Sequence, residues 1–192
     1  MKIQIDQKDF DLLIEYDQIK KRIRLLGIQL DVDYEGRVPV FVGVLNGCFM
    51  FMGDLMKEVG ISSEVTFVKV SSYQGDKSTG EIKREIDLYM DLNGRDVIIV
   101  EDIVETGATL RYLINMINEQ NPASVNVCTL LLKPSEATRD LKEITYVGFE
   151  IPHEFVVGYG LDYNGLGRNL QDIYRADHVP NETWLEDLGV MG

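Results

Sequence analysis

Positive charge is in short supply in this 192-residue chain: 19 lysines and arginines stand against 32 aspartates and glutamates, a formal net charge of −13. Nonspecific binding to nucleic acid and adhesion to an anionic membrane both need a cationic face, so the balance argues against either partner. It also repels anionic small molecules, and a polyphosphate ligand would have to arrive partly neutralised by Mg²⁺ or enter a locally basic mouth. Cysteine is nearly absent. Cys48 and Cys128 lie far apart and lack metal-ligand spacing, which reads as two reduced, buried thiols of a cytosolic protein. No apolar run is long enough for a bilayer: the stretch 38–52 is interrupted by Gly43, Asn46 and Gly47 and closed by Asp54, and it reads as strand, turn and helix. The N-terminus carries no signal-peptide pattern, and neither an internal repeat nor a low-complexity linker is visible, so one domain is expected. The two histidines, His153 and His178, lack a Cys or His partner at ligand spacing and read as loop or surface residues.

What is present is concentrated at residues 97–110, Val-Ile-Ile-Val-Glu-Asp-Ile-Val-Glu-Thr-Gly-Ala-Thr-Leu. Val97 to Val100 are β-branched without alternation, as in a parallel strand covered on both faces, and Glu101 and Asp102 fall where the strand leaves the core. Ligands of open α/β sheets bind at that edge. Thr106, Gly107, Ala108 and Thr109 then precede Leu110, Leu113, Ile114 and Ile117, an apolar stripe at helical spacing. The loop is thus a helix N-terminus with free N–H groups, suited to one phosphate. Vicinal carboxylates for a diol or a metal, a third carboxylate at Glu105 and a nest of N–H groups together fit a ribose 5-phosphate. An acidic turn that merely caps a helix would explain Thr106 and Thr109, but not three carboxylates that repel one another without a cation or hydroxyl donors.

Along the rest of the chain, residues 1–15 leave a short strand and an extended arm equally open. Asp17 is the expected N-cap of a helix whose face is Ile19, Ile23, Leu26 and Leu30, stopped at Glu35-Gly36. Val38 to Leu45 reads as a strand, Asn46-Gly47 as a turn, and Phe49, Met52, Leu55, Met56 and Val59 as a second helix. Glu64 to Val70 alternates as a strand. The polar run 71–80 follows, fitting either a mobile lid that includes Ser72 and Tyr73 or a solvated hairpin tip. Ile82, Ile86 and Leu88 resume a strand. Val125, Val127, Thr129 and Leu131 mark another, ending at Lys133-Pro134, and Tyr146–Phe149 and Phe155–Val157 are two more. From Asp162 onward the chain reads as an irregular cap containing Trp184. Alternating strands and helices predict an α/β fold with a mainly parallel twisted sheet flanked by helices.

The run 97–110 resembles the phosphoribosyl diphosphate (PRPP) motif of the type I phosphoribosyltransferases. Leu45-Asn46-Gly47, Lys133, and the stretch from Phe155 through Gly158-Tyr159-Gly160-Leu161-Asp162-Tyr163 to Arg168 narrow the resemblance to the hypoxanthine phosphoribosyltransferases. It implies a core at 36–160 with a cap or hood made by 1–35 and 161–192. It implies a Mg²⁺-dependent transfer of phosphoribosyl from PRPP to N9 of a 6-oxopurine, in a cytoplasmic homodimer or homotetramer. By the same resemblance Glu101, Asp102, Thr106, Gly107, Ala108 and Thr109 hold the ribose phosphate, and Asn46, Gly47 and Arg168 hold pyrophosphate. Lys133, Phe155 and the backbone at Val156 bind the purine, Asp162 with Glu101 and Asp102 serves the metal, and Glu105 moves the proton. A cis peptide at Leu45–Asn46 is also implied. Lysine has donors and no acceptor, so it suits a carbonyl at purine C6 and disfavours adenine. On their residues alone, Phe155 reads as sheet core, Lys133 as a solvated loop lysine, and Cys48 as packing.

Three positions depart from the family pattern: Asn46 stands where lysine is common, Glu105 where aspartate is usual, and Asn164-Gly165-Leu166-Gly167 replaces a bulkier segment. The first removes a positive charge from the pyrophosphate turn and the second lengthens the proton-transfer group by one methylene. Rival readings are a phosphoribosyltransferase for xanthine or another oxo-base, and a regulator that keeps the PRPP fold but binds RNA.

Overall fold

The computed structural model describes residues 1–72 and 82–176. Two antiparallel strands, β1 (Lys2–Ile5) and β2 (Lys8–Ile14), resolve the ambiguity at the N-terminus. Helix α1 (Tyr16–Asp33) begins at Glu15, not Asp17: Glu15 and Gln18 form a reciprocal capping box, and Asp17 sits in the first turn paired with Lys20 at 2.9 Å. Strand β3 (Val40–Leu45), helix α2 (Phe49–Glu58) and strand β4 (Glu64–Ser72) follow, then β5 (Ile82–Ile86). Strand β6 (Asp96–Val104), helix α3 (Ala108–Asn118), strand β7 (Ser124–Leu132), the short α4 (Glu136–Arg139) and β8 (Ile144–Glu150) complete the main layer.

The main sheet has the order β5-β4-β3-β6-β7-β8, parallel throughout except for β5, as the β-branched runs predict. Burial explains the lack of alternation in β6. Val97 and Ile99 pack with the α3 residues Leu110, Leu113, Ile114 and Ile117. Ile98 and Val100 pack on the opposite side with Ile19, Ile23, Phe51, Met52 and Leu55 from α1 and α2. Each fully buried aliphatic side chain of this kind stabilises the fold by ~1.5–3 kcal/mol.

Sequence order reverses across the sheet between β3 and β6, because β3 leads outward to β4 while β6 leads the other way to β7. At such a switch point the outgoing ends of two neighbouring strands diverge and leave a crevice. Here those ends carry Leu45-Asn46-Gly47 and Glu101-Asp102. The strand runs further than the sequence suggests: β6 includes both carboxylates and ends at Val104.

A second sheet, β1-β2-β10-β9, is antiparallel throughout. Strand β10 (Ile173–Ala176) replaces the irregular cap expected after Asp162, and β9 (Val156–Val157) belongs here and not to the main sheet. Its core is Phe10, Val157, Tyr163 and Tyr174. Trp184, His178 and Tyr73 fall outside the described residues, and of the expected lid pair Ser72 is the last residue of β4.

Candidate active site

The acidic pair sits at the crevice, deep enough to be deprived of water. Burial, reinforced by the charge of Asp102, pushes the Glu101 carboxyl well above its ordinary range. Its Oε2 is buried with no hydrogen-bond partner among the described residues. Burial raises Asp102 to about 6, against the pull of the backbone N–H groups of Ile103 and Asp102 and of the Arg168 guanidinium, with Asp162 adding to the rise. Asp102, Asp162 and Arg168 therefore share one electrostatic neighbourhood although the first lies far along the chain from the other two.

The turn after β3 is built around that pair. The Leu45–Asn46 peptide bond is cis, as the resemblance implies. Gly47 is buried, and a Cβ there would overlap the Asp102 carboxylate; one at Gly160 would overlap the Gly47 carbonyl. Asn46 is exposed beside them. The turn is thus pressed between Asp102 and the backbone of the 158–168 loop, and only glycine fits at either contact. Cys48, the next residue, is fully buried with its thiol pushed up by burial and by Glu101 and Asp102, which matches packing and excludes a thiolate.

The turn between β6 and α3 is tight. Gly107 adopts a left-handed φ of 72° as the N-cap of α3, and Thr106 Oγ1 accepts from the Ala108 N–H at 3.3 Å. A Cβ at Gly107 would fall 2.7 Å from the Leu141 side-chain tip, and the left-handed turn favours glycine. Thr106 and Ala108 are exposed and Thr109 half-buried at the positive end of the helix.

Lys133 is not a solvated loop residue. It is 5 % exposed, held by its backbone N–H to Val104 O at 2.9 Å, and its Nζ lies 2.8 Å from Glu105 Oε1. Parallel pairing of β6 with β7 sets Val104 beside Leu132, so the next residues, Glu105 and Lys133, emerge side by side. The longer glutamate spans the gap between strand ends.

Phe155 is half-buried. Its ring meets Tyr163 edge-on at 5.8 Å and 82°, and Phe10 at 6.4 Å. Strand β9 is the edge of the second sheet. Phe155 O accepts from Ala176 N, so by antiparallel alternation the Val156 backbone groups point away from β10. Asp162 accepts from Arg168 Nη2 at 2.6 Å and from Gly165 N at 2.7 Å, while Arg168 Nη1 donates to Gly160 O at 2.7 Å. His153 is exposed on the Pro134 carbonyl, as a loop histidine.

Among the described residues no group of three or more His, Cys, Asp or Glu side chains could hold a metal by itself. Mg²⁺ keeps several waters and takes few protein carboxylates when a phosphate ligand supplies the rest, so the oxygen donors of Asp162, Asp102 and the orphaned Glu101 Oε2 fit a hard cation of that kind.

The phosphoribosyl transferase domain model matches residues 15–164. The chain belongs to the phosphoribosyltransferase family. It is 42% identical over 160 residues to the hypoxanthine-guanine phosphoribosyltransferase of Bacillus subtilis, covering 83% of this chain and 88% of that protein. It is 48% identical over 160 residues to the bifunctional protein TilS/HprT of Listeria monocytogenes, covering 83% of this chain, and spans only about a quarter of that relative's length (24%). The crystal structure of a hypoxanthine phosphoribosyltransferase from Staphylococcus aureus superposes with a TM-score of 0.81 at 42% identity, over 87% of this chain and 91% of that one. The type I phosphoribosyltransferase fold of the main sheet and its helices is that of these structures. Sequence reasoning missed Gly160, whose close approach to Gly47 becomes visible only when the two loops are brought together.

Proposed function

We propose that this phosphoribosyltransferase joins hypoxanthine or guanine to PRPP, giving the nucleoside 5′-monophosphate and pyrophosphate in purine salvage. The observation that carries the reading is the buried Lys133 at the end of β7, paired with Glu105: a buried ammonium with donors and no acceptor meets a carbonyl and rejects an amino group. In this reading the N–H groups at Thr106–Thr109 hold the 5′-phosphate and the Glu101 and Asp102 carboxylates accept from the ribose hydroxyls. Their charge then stabilises the oxocarbenium-like ribose as pyrophosphate departs. Mg²⁺ held with Asp162, Glu101 and Asp102 would neutralise charge on the leaving group. Asn46 and Gly47 present backbone N–H groups to pyrophosphate, with Arg168 alongside. Phe155 stacks on the base, the outward backbone of Val156 meets its edge, Lys133 donates to O6, and Glu105 takes the proton from N7 as N9 bonds to C1.

The second sheet serves as the hood over the base, the buried cysteines suit the cytosol, and a homodimer or homotetramer belongs to the same reading. No helix among the described residues is long and apolar enough to cross a membrane. The test is product identification by mass after incubation with PRPP, Mg²⁺ and, separately, hypoxanthine, guanine and xanthine. IMP and GMP are expected. XMP alone would replace this reading with a xanthine enzyme, and no nucleotide together with a salt-dependent RNA shift would replace it with an RNA-binding regulator.

A further inference from the structure

A buried tyrosine outside the assigned ligand set ties the two loops of the crevice together. Tyr159 is fully buried, and its hydroxyl donates to Asp54 Oδ2 at 2.6 Å. Its phenol is raised far above the ordinary value by burial and then by the Asp54 carboxylate, so it stays a donor. Asp54 also accepts from Lys57 Nζ at 2.8 Å, so the acceptor is an ionised carboxylate and the bond is charge-assisted. Asp54 lies on α2, the helix that starts immediately after the Asn46-Gly47 turn. Tyr159 sits between Gly158 and Gly160 with a left-handed φ of 51°, a conformation rare for an aromatic residue. Its ring packs 6.1 Å from Tyr16 at the start of α1, and its backbone N–H donates to Leu170 O at 2.8 Å. The next residue, Gly160, is the one whose backbone touches the Gly47 carbonyl and accepts from Arg168.

We infer that Tyr159, through its bond to Asp54, is a positioning residue for pyrophosphate: it locks the 158–168 loop, with Asp162 and Arg168, onto the helix that carries the Asn46-Gly47 turn. The two halves of the pyrophosphate site come from segments more than a hundred residues apart, and this buried contact fixes their separation at the Gly47–Gly160 contact. Lys133 and Glu105, which follow β7 and β6, take no part in this contact. This rests on the reading of Asn46, Gly47 and Arg168 as the pyrophosphate site.

The test uses Tyr159→Phe, which keeps the ring and removes only the hydroxyl, and Asp54→Asn, which keeps the shape and removes the charge. KM for PRPP is expected to rise about fivefold to twentyfold in both, with KM for hypoxanthine changed less than twofold, and the double variant to be no worse than either single one. A purely structural role would lower thermal stability and active fraction without splitting the two KM values. Amide hydrogen exchange on ligand-free protein is the second readout: faster exchange at 46–49 and 160–164 is expected in Tyr159→Phe, with β6 and β7 unchanged. A PRPP KM within twofold of the parent, or unchanged exchange at 46–49, would overturn the inference. A parent that shows no PRPP-dependent turnover would overturn the proposed activity instead, and the exchange measurement would then decide on the contact by itself.

Discussion

The two sides of the crevice satisfy their charges in opposite ways. On the purine side Lys133 and Glu105 meet as an ion pair at 2.8 Å, one partner buried and the other half in water. On the ribose side Glu101 and Asp102 lie side by side with burial raising both carboxyls and one oxygen unpartnered among the described residues. Uncompensated buried charge of this kind destabilises a fold, and a site keeps it where a ligand completes the arrangement. The difference teaches the order of events. In the proposed reading the ribose side gains from binding hydroxyls and a cation, whereas the purine side must first give up a contact it already has. A 6-oxopurine can repay that loss because its O6 and N7–H replace each partner for the other.

The comparison breaks most severely at Glu105. Glu105→Gln keeps the size, cannot accept a proton, and is expected to lower turnover ~10²–10⁴-fold while PRPP affinity stays near that of the parent. Single-turnover kinetics would check this, and a loss within about threefold would hand the proton transfer to water. Glu105→Asp is expected to remain active.

Lys133→Ala should lower kcat/KM for hypoxanthine by ~1–3 kcal/mol, the cost of a lost charged hydrogen bond in a dry pocket. The ratio of hypoxanthine to adenine efficiencies is the readout. An unchanged ratio would remove Lys133 as the base reader and leave the ion pair as mere structure.

The ribose side is sharpened by pH in the ligand-free protein with EDTA present. Asp102 has an ordinary value of 3.8 and is raised to about 6 in the folded state, so the native form holds the extra proton between those values. The Asp102 contribution to stability is therefore fully present below about pH 4 and is lost as pH rises through 6. Asp102→Asn should remove that part of the slope and make the variant more stable than the parent at pH 7 by about 1–3 kcal/mol, allowing for partial exposure of the carboxylate. Glu101, shifted the same way, keeps some slope in the variant. Denaturant titrations from pH 4 to 8 would show the two proteins converging at low pH; curves that stay parallel would mean that Asp102 is not desolvated.

Much of this site was legible because it is local. The β-branched run, the adjacent carboxylates and Thr-Gly-Ala-Thr occupy one strand, one turn and one helix start, and their chemistry follows from order along the chain. The Lys133–Glu105 pair was not, since it exists only once β6 and β7 are neighbours in parallel register. The Gly47–Gly160 contact and the Tyr159–Asp54 bond were hidden for the same reason. At the N-terminus the residues 1–15 have too little periodicity to choose a strand, and it is pairing with β10 in the second sheet that decides it. The start of α1 was misplaced by two residues because Asp17 is a good cap by type, whereas the Glu15–Gln18 box satisfies two backbone groups at once.

The central claim is tested most directly by one competition: equal hypoxanthine and adenine in a single reaction with PRPP and Mg²⁺, followed by mass-resolved quantification of the nucleotides. IMP should form with AMP below about one part in a hundred, the discrimination that a buried donor unable to accept imposes. Comparable amounts of IMP and AMP, or AMP alone, would contradict a 6-oxopurine phosphoribosyltransferase.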